Sequence, residues 1–172
     1  MSHVARIAIL GAESSGKSTL AAALAEHYHT LWVPEYLREF VDTHQRVPRE
    51  EDQYGIARTQ IERENAAALR ADRYLFCDTT PLMTALYSKV YWGRVVAPLA
   101  GLDAVHDYAL TLVTAPDGPW IPDGLQRESE AVRQSVHALV LATLCARGIA
   151  HTVISGEPAQ RMQHVTRLLA QL

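Results

Sequence analysis

The chain has 172 residues, of which 48% are hydrophobic and 20% charged, with a formal net charge of −3 at pH 7 and two cysteines. That length suits one folded domain with a continuous core, needing neither disulfides nor a structural metal. The slightly acidic balance, with no basic block among fourteen arginines and two lysines, excludes a dedicated nucleic-acid binder. No apolar run approaches a membrane span, and the N-terminus enters a strand pattern rather than a signal peptide, so a cytoplasmic protein without a membrane partner is expected.

In chain order, residues 4–10 form a short aliphatic run that stops at Gly11, the mark of a fully buried strand. Residues 73–78, 108–113 and 151–154 repeat the pattern, and residues 31–33 are a weaker fifth strand. Between them lie helical spacings: Leu20, Leu24 and Tyr28, and later Val132, Val136, Leu139, Val140 and Leu144, closed by Gly148. A last helix starts at Pro158 and carries Met162, Val165, Leu169 and Leu172. Residues 49–73 read as a polar helix, mostly solvated, with Ile56, Ile61 and Leu69 as its sparse apolar side. Residues 114–129, with three prolines, two glycines and Trp120, form a loop longer than a connection requires, and 117–129 reads as a lid. Cys77 and Cys145 fit two reduced core thiols. Buried strands separated by helices predict an α/β fold with a parallel sheet covered on both faces and ligands at the carboxyl ends of the strands.

Residues 11–18, Gly-Ala-Glu-Ser-Ser-Gly-Lys-Ser, satisfy G-x-x-x-x-G-K-[ST] directly between the first strand and the first helix. Glycine at such positions lets successive N–H groups turn toward one anion, and the helix that follows adds its positive end. Lys17 can reach the β- and γ-phosphates of a nucleotide, and the Ser18 hydroxyl can take a place on Mg²⁺.

Phosphate binding does not name a reaction. Guanine-reading GTPases need an N/T-K-x-D loop, and Asn65 is the only asparagine while Lys17 and Lys89 are the only lysines. Motor ATPases of the AAA+ type carry a further helical domain for which the chain has little room. Asp78 ends a buried strand at the same sheet edge as the phosphate loop, where a carboxylate can hold Mg²⁺; it can equally cap the helix that starts at Pro81. Glu35 follows the second strand and could face an acceptor hydroxyl as general base or aligner, or lie exposed in a first helical turn. Arg127 and Arg133 could close over the nucleotide and neutralise the transferring group, and Gly156 to Pro158 follow the last strand where a base could sit.

Residues 11–19, then Pro34-Glu35-Tyr36-Leu37-Arg38-Glu39-Phe40-Val41, Cys77-Asp78-Thr79-Thr80-Pro81 with Tyr87 and Tyr91-Trp92-Gly93, and Pro119-Trp120-Ile121-Pro122-Asp123-Gly124-Leu125-Gln126-Arg127 together resemble the ribosylnicotinamide kinase domain of NadR-type proteins. The resemblance implies a three-layer P-loop fold of the nucleoside-kinase kind with five parallel strands. It also implies transfer of the ATP γ-phosphate, with Mg²⁺, to the 5′-hydroxyl of nicotinamide riboside. Carried onto this chain, Gly11, Glu13, Ser14, Ser15, Gly16, Lys17, Ser18, Thr19, Arg127 and Arg133 would bind the nucleotide, and Ser18 and Asp78 the metal. Glu35, Tyr36, Arg38, Trp120 and Asp123 would bind the nucleoside, and Lys17, Glu35, Asp78 and Arg127 would carry the chemistry. Tyr36 and Trp120 are expected to stack on the ring ahead of Trp92. Pro34 and the additional Gln126 depart from the family pattern near the nucleoside pocket and the lid. The chain begins close to the phosphate loop, so the kinase step alone is expected. The rival readings are a kinase for another small hydroxyl metabolite and an ATP-binding regulatory module; the sequence sets no oligomeric state.

Overall fold

The computed structural model describes residues 3–122 and 129–172. Five strands, β1 (Ala5–Leu10), β2 (Leu31–Val33), β3 (Tyr74–Asp78), β4 (Leu110–Thr114) and β5 (Thr152–Ile154), form one all-parallel sheet in the order β2-β3-β1-β4-β5. The helices are α1 (Lys17–His27), α2 (Tyr36–His44), α3 (Gln53–Ala68), α4 (Pro81–Trp92), α5 (Ala97–Ala104), α6 (Glu130–Ala146) and α7 (Pro158–Leu169), with a 3₁₀ turn at Glu50–Asp52 leading into α3. The three-layer α/β arrangement expected from the sequence is present, and each strand lies within a residue or two of its expected position. The short helix α5 has no counterpart in the sequence reading.

Side-chain alternation along the central strand divides the core. Ile7 and Ile9 pack with Leu20, Leu24, Phe76, Leu112, Val165 and Leu169 on the side of α1 and α7. Ala8 and Leu10 pack with Leu82, Met83, Val113, Val136, Val140 and Leu144 on the side of α4 and α6. On β3 the same period places Asp78 with Tyr74 and Phe76, facing α1. The strand order changes direction beside β1, so the carboxyl ends of β1, β3 and β4 open together into a crevice, the position from which such sheets bind ligands.

Two expectations change. The inward stripe of α3 is Gln53, Ile56, Ala57, Gln60, Glu64 and Ala67, whereas Leu69 is 88% exposed. This helix is buried along a polar face because neighbouring backbone and hydroxyl groups satisfy it. The second change concerns Cys145, which is exposed while Cys77 is buried: it follows Leu144 by one residue and so turns about 100° away from the Val136–Val140–Leu144 stripe.

Glu64 is fully buried, accepts hydrogen bonds from the Tyr108 hydroxyl at 3.0 and 2.9 Å, and lies 3.7 Å from Arg6. Burial pushes its carboxyl up from 4.5 to about 7 against the opposing effects of Tyr108 and Arg6. A carboxyl raised on folding contributes stability that is complete below its unfolded value and lost as pH rises through its folded one, here from about 4.5 to about 7. Glu64→Gln should therefore leave the melting temperature at pH 5 nearly unchanged and raise stability at pH 8 by up to ~3 kcal/mol, as read by thermal melts at the two pH values.

Candidate active site

A cavity of about 700 Å³ opens at the carboxyl edge of the sheet. Its floor is the phosphate loop: Gly11, Glu13, Ser14, Ser15, Gly16, Lys17, Ser18 and Thr19 all line it. Gly11 cannot carry a side chain, because a Cβ there would collide with the Thr114 hydroxyl and come within 2.8 Å of Ser15 Oγ. Gly16 has φ 86° and caps α1, a backbone setting that side chains oppose. Ser14 also adopts positive φ, 54°. The Lys17 ammonium donates to the Ala12 carbonyl at 3.0 Å, and Ser15 Oγ donates to the same oxygen at 2.6 Å.

Asp78 is completely buried beneath this floor. Its Oδ2 accepts a 2.5 Å hydrogen bond from Ser18 Oγ, and its Oδ1 has no hydrogen-bond partner among the described residues. A buried carboxylate oxygen without a donor, beside a hydroxyl at the start of a phosphate-binding helix, is a donor set of hard oxygens, and it fits Mg²⁺ bound jointly with phosphate oxygens. Burial pushes the Asp78 carboxyl up, opposed first by the positive charge of Lys17, then by the Ser18 hydroxyl and Arg38. Thr79, directly after it, has φ 73° and is held there by its N–H donating to the Ile9 carbonyl at 3.0 Å.

The facing wall comes from the segment after β2 and from α4. Glu35, at the N-cap of α2, lines the cavity together with Leu37 and Arg38. Gln60, from the polar stripe of α3, accepts from Tyr36 N–H at 2.8 Å and donates to the carbonyls of Pro34 at 3.2 Å and Asp78 at 3.4 Å. One buried amide thus fixes the spacing between the two carboxylate-bearing segments. Tyr87, Tyr91 and Trp92 supply an aromatic side, with the first two rings stacked at 5.9 Å.

Three residues expected at the site lie apart from the cavity lining among the described residues. The Tyr36 ring lies outside the cavity under the Arg63 guanidinium, 4.7 Å from ring centroid to carbon. Trp120 does not line the cavity, although its neighbours Pro119 and Ile121 do; the rings that do line it are the α4 aromatics, including the Trp92 ranked last. Arg133 does not line the cavity either. It is 2% exposed and donates to the carbonyls of Ser14 at 3.0 Å, Gly118 at 2.8 Å and Pro116 at 3.4 Å. Residues 117–121, the opening part of the expected 117–129 lid, are tied to the phosphate loop through Arg133, and Ser14 Oγ donates to the Ile121 carbonyl at 2.8 Å. Asp123 and Arg127 lie outside the described residues. Sequence reasoning missed Gln60 and Arg161. The latter, 7% exposed on α7, donates to the Ser15, Ala115 and Gly156 carbonyls at 2.6, 2.9 and 2.9 Å and pairs with Asp117 at 2.5 Å. Both buried arginines head an inward helical stripe, Arg133-Val136-Val140-Leu144 and Arg161-Val165-Leu169, and a charge at the head of such a stripe is the signal that could have found them.

Sheet order, phosphate loop and buried strand-end carboxylate define a P-loop protein of the nucleoside- and nucleotide-kinase fold. The chain belongs to a family described as AAA domain, whose match spans residues 6–161. The chain is homologous to the trifunctional NAD biosynthesis/regulator protein NadR of Salmonella typhimurium and of Escherichia coli, 32% identical to each over 133 residues. The match covers 75% of this chain and 32% of each relative, so the chain corresponds to about a third of their length. A crystal structure of NadR in complex with NAD and AMP-PNP superimposes with a TM-score of 0.80 at 19% identity, over 98% of this chain and 49% of that one. A NadR complex with NR gives 0.79 at 19% identity, over 98% of this chain and 51% of that one. Thymidylate kinase from Ehrlichia chaffeensis gives 0.68 at 16% identity, over 96% and 98%. The likeness to NadR-type proteins and the five-stranded kinase fold expected from the sequence are both shown. No helix among the described residues is long and apolar enough to cross a membrane.

Substitution of Gly11 by Ala should destabilise the fold by about 1–3 kcal/mol through overpacking against Thr114, and should weaken binding of an ATP analogue; denaturant unfolding and calorimetric titration check the two effects.

Proposed function

We propose that the chain is a kinase that transfers the γ-phosphate of ATP to the 5′-hydroxyl of nicotinamide riboside. The observation that carries this reading is one cavity lined by the phosphate loop and by Glu35, Leu37 and Arg38, with Asp78 buried beneath its floor against Ser18 and Gln60 bridging the Asp78 and Tyr36 backbones. Homology to NadR and the NR-bound NadR structure support the choice of acceptor, and the aromatic wall of Tyr87, Tyr91 and Trp92 offers a flat cationic ring both stacking and cation–π attraction.

In this reading the N–H groups of residues 11–19 and the Lys17 ammonium hold the triphosphate. Ser18 and Asp78 would hold Mg²⁺, which supplies charge neutralisation on the phosphate oxygens. Glu35 accepts the proton of the acceptor hydroxyl as its oxygen attacks the γ-phosphorus, the bond to the bridging oxygen breaks, and ADP leaves. Arg38, on the Glu35 wall, orients the ribose. Asp78 is buried against Ser18 while Glu35 lines the cavity, which supports Glu35 as the base in this reading. Arg127 is proposed to neutralise the transferring group, with Asp123 on the nucleoside. Tyr36 contributes through the placement of its backbone rather than by stacking.

Incubation with MgATP and nicotinamide riboside should yield ADP and nicotinamide mononucleotide in equal amounts, with slow ATP hydrolysis when the acceptor is omitted. Glu35→Gln should lower kcat by roughly 10²- to 10⁴-fold while changing the KM for ATP little. Faster turnover of thymidine, deoxyadenosine or another hydroxyl metabolite in the same panel would move the assignment to that acceptor. No phosphorylated product from any of them would leave an ATP-binding module.

A further inference from the structure

The proposed reaction depends on N–H groups of the phosphate loop, and the carbonyls of that loop account for how those N–H groups are aimed. In a planar trans peptide the N–H points opposite to the C=O of the same unit, so whatever holds the oxygen also aims the hydrogen. Ala12 O is held by Lys17 and Ser15, Ser14 O by Arg133 at 3.0 Å, and Ser15 O by Arg161 at 2.6 Å. The N–H groups of Glu13, Ser15 and Gly16 therefore point away from these donors.

We propose that Arg133 and Arg161 are positioning residues for nucleotide binding, which preset the phosphate loop by holding the Ser14 and Ser15 carbonyls away from the triphosphate. The inference rests on reading residues 11–19 as the ATP site. Two observations separate it from ordinary core packing. Burying a guanidinium is costly unless its donors are used, and the terminal nitrogens of both are directed to backbone oxygens of the loop and of the segment after β4, although Arg133 Nε has no partner among the described residues. Each is also oriented by a carboxylate nearer the surface, Glu130 at 2.8 Å from Arg133 and Asp117 at 2.5 Å from Arg161, so both forks are fixed from outside the apolar core. A lysine reaches from one point and cannot bridge two carbonyl-bearing segments as a planar fork does. Asp117, whose Oδ1 meets Arg161 at 2.5 Å and whose Oδ2 accepts from Gly156 N–H at 2.7 Å, fixes the far side of the Arg161 fork.

Calorimetric titration with AMP-PNP and MgCl₂, alongside melting curves without ligand, tests this on the wild type, Arg133→Lys, Arg161→Lys and Asp117→Asn. Each lysine variant should bind AMP-PNP about tenfold or more weakly while melting within a few degrees of the wild type, and Asp117→Asn should lose a few-fold. Guanidinium chloride at low millimolar concentration should restore part of the affinity in Arg161→Ala. Wild-type affinity in folded lysine variants overturns the proposal. If the lysine variants do not fold, unchanged affinity in Asp117→Asn, whose side chain is half-exposed, overturns it. Failure of the wild type to bind AMP-PNP overturns the nucleotide-site reading instead.

Discussion

A loop that grips an anion with its backbone must dispose of as many carbonyl oxygens as it presents N–H groups. This constraint organises the molecule. The short turn between β1 and α1 has no strand partner to absorb those oxygens: Lys17 and Ser15 take that of Ala12 from within the loop, and those of Ser14 and Ser15 are met from far along the chain, by Arg133 on α6 and Arg161 on α7. Because each guanidinium also reaches the segment after β4, the anion cradle and the crevice wall beside it form one hydrogen-bonded unit. The helices that bring these arginines are anchored by ordinary apolar packing of Val136, Val140 and Leu144, and of Val165 and Leu169. Core burial and loop geometry are in this way coupled through two side chains.

Much of this was legible in the sequence. The phosphate loop and the strand-end carboxylate Asp78 follow from local pattern, because glycine turns and strand termini are local features with strong spacing rules, whereas pattern alone left Glu35 open and Arg38 entered only with the family resemblance. Helix α3 shows where legibility ends. Its inward face carries Gln53, Gln60 and Glu64 beside Ile56, and periodicity arguments weight apolar residues only, so they find Ile56 but add Ile61 and Leu69 in place of the polar members of the stripe. Polar burial is decided by partners brought from other elements, such as the Tyr108 hydroxyl and the Pro34 and Asp78 carbonyls, which no local window contains. The same reason explains Tyr36 and Arg133, whose motif positions suggested ligand contact and whose side chains are claimed by Arg63 and by backbone oxygens.

Gln60 merits comparison with the arginines. It too is a buried polar group with its hydrogen bonds satisfied by backbone, and it too ties a strand end to a neighbouring segment. The floor is braced from the α6 and α7 side and the Glu35 wall from the α3 side. The aromatic wall rides on α4, where the Tyr87 and Tyr91 rings stack at 5.9 Å and Tyr91 is 54% exposed.

Thr79 carries a consequence of its own. A β-branched residue in the left-handed region costs on the order of 1–3 kcal/mol, and this one sits where β3 ends, pinned to the neighbouring strand. Directed evolution for heat tolerance would meet an easy gain at that torsion by admitting Gly or Asn. Since the pin is a backbone N–H that either residue keeps, and the adjoining carboxylate is buried against Ser18, this codon can gain durability without displacing the carboxylate.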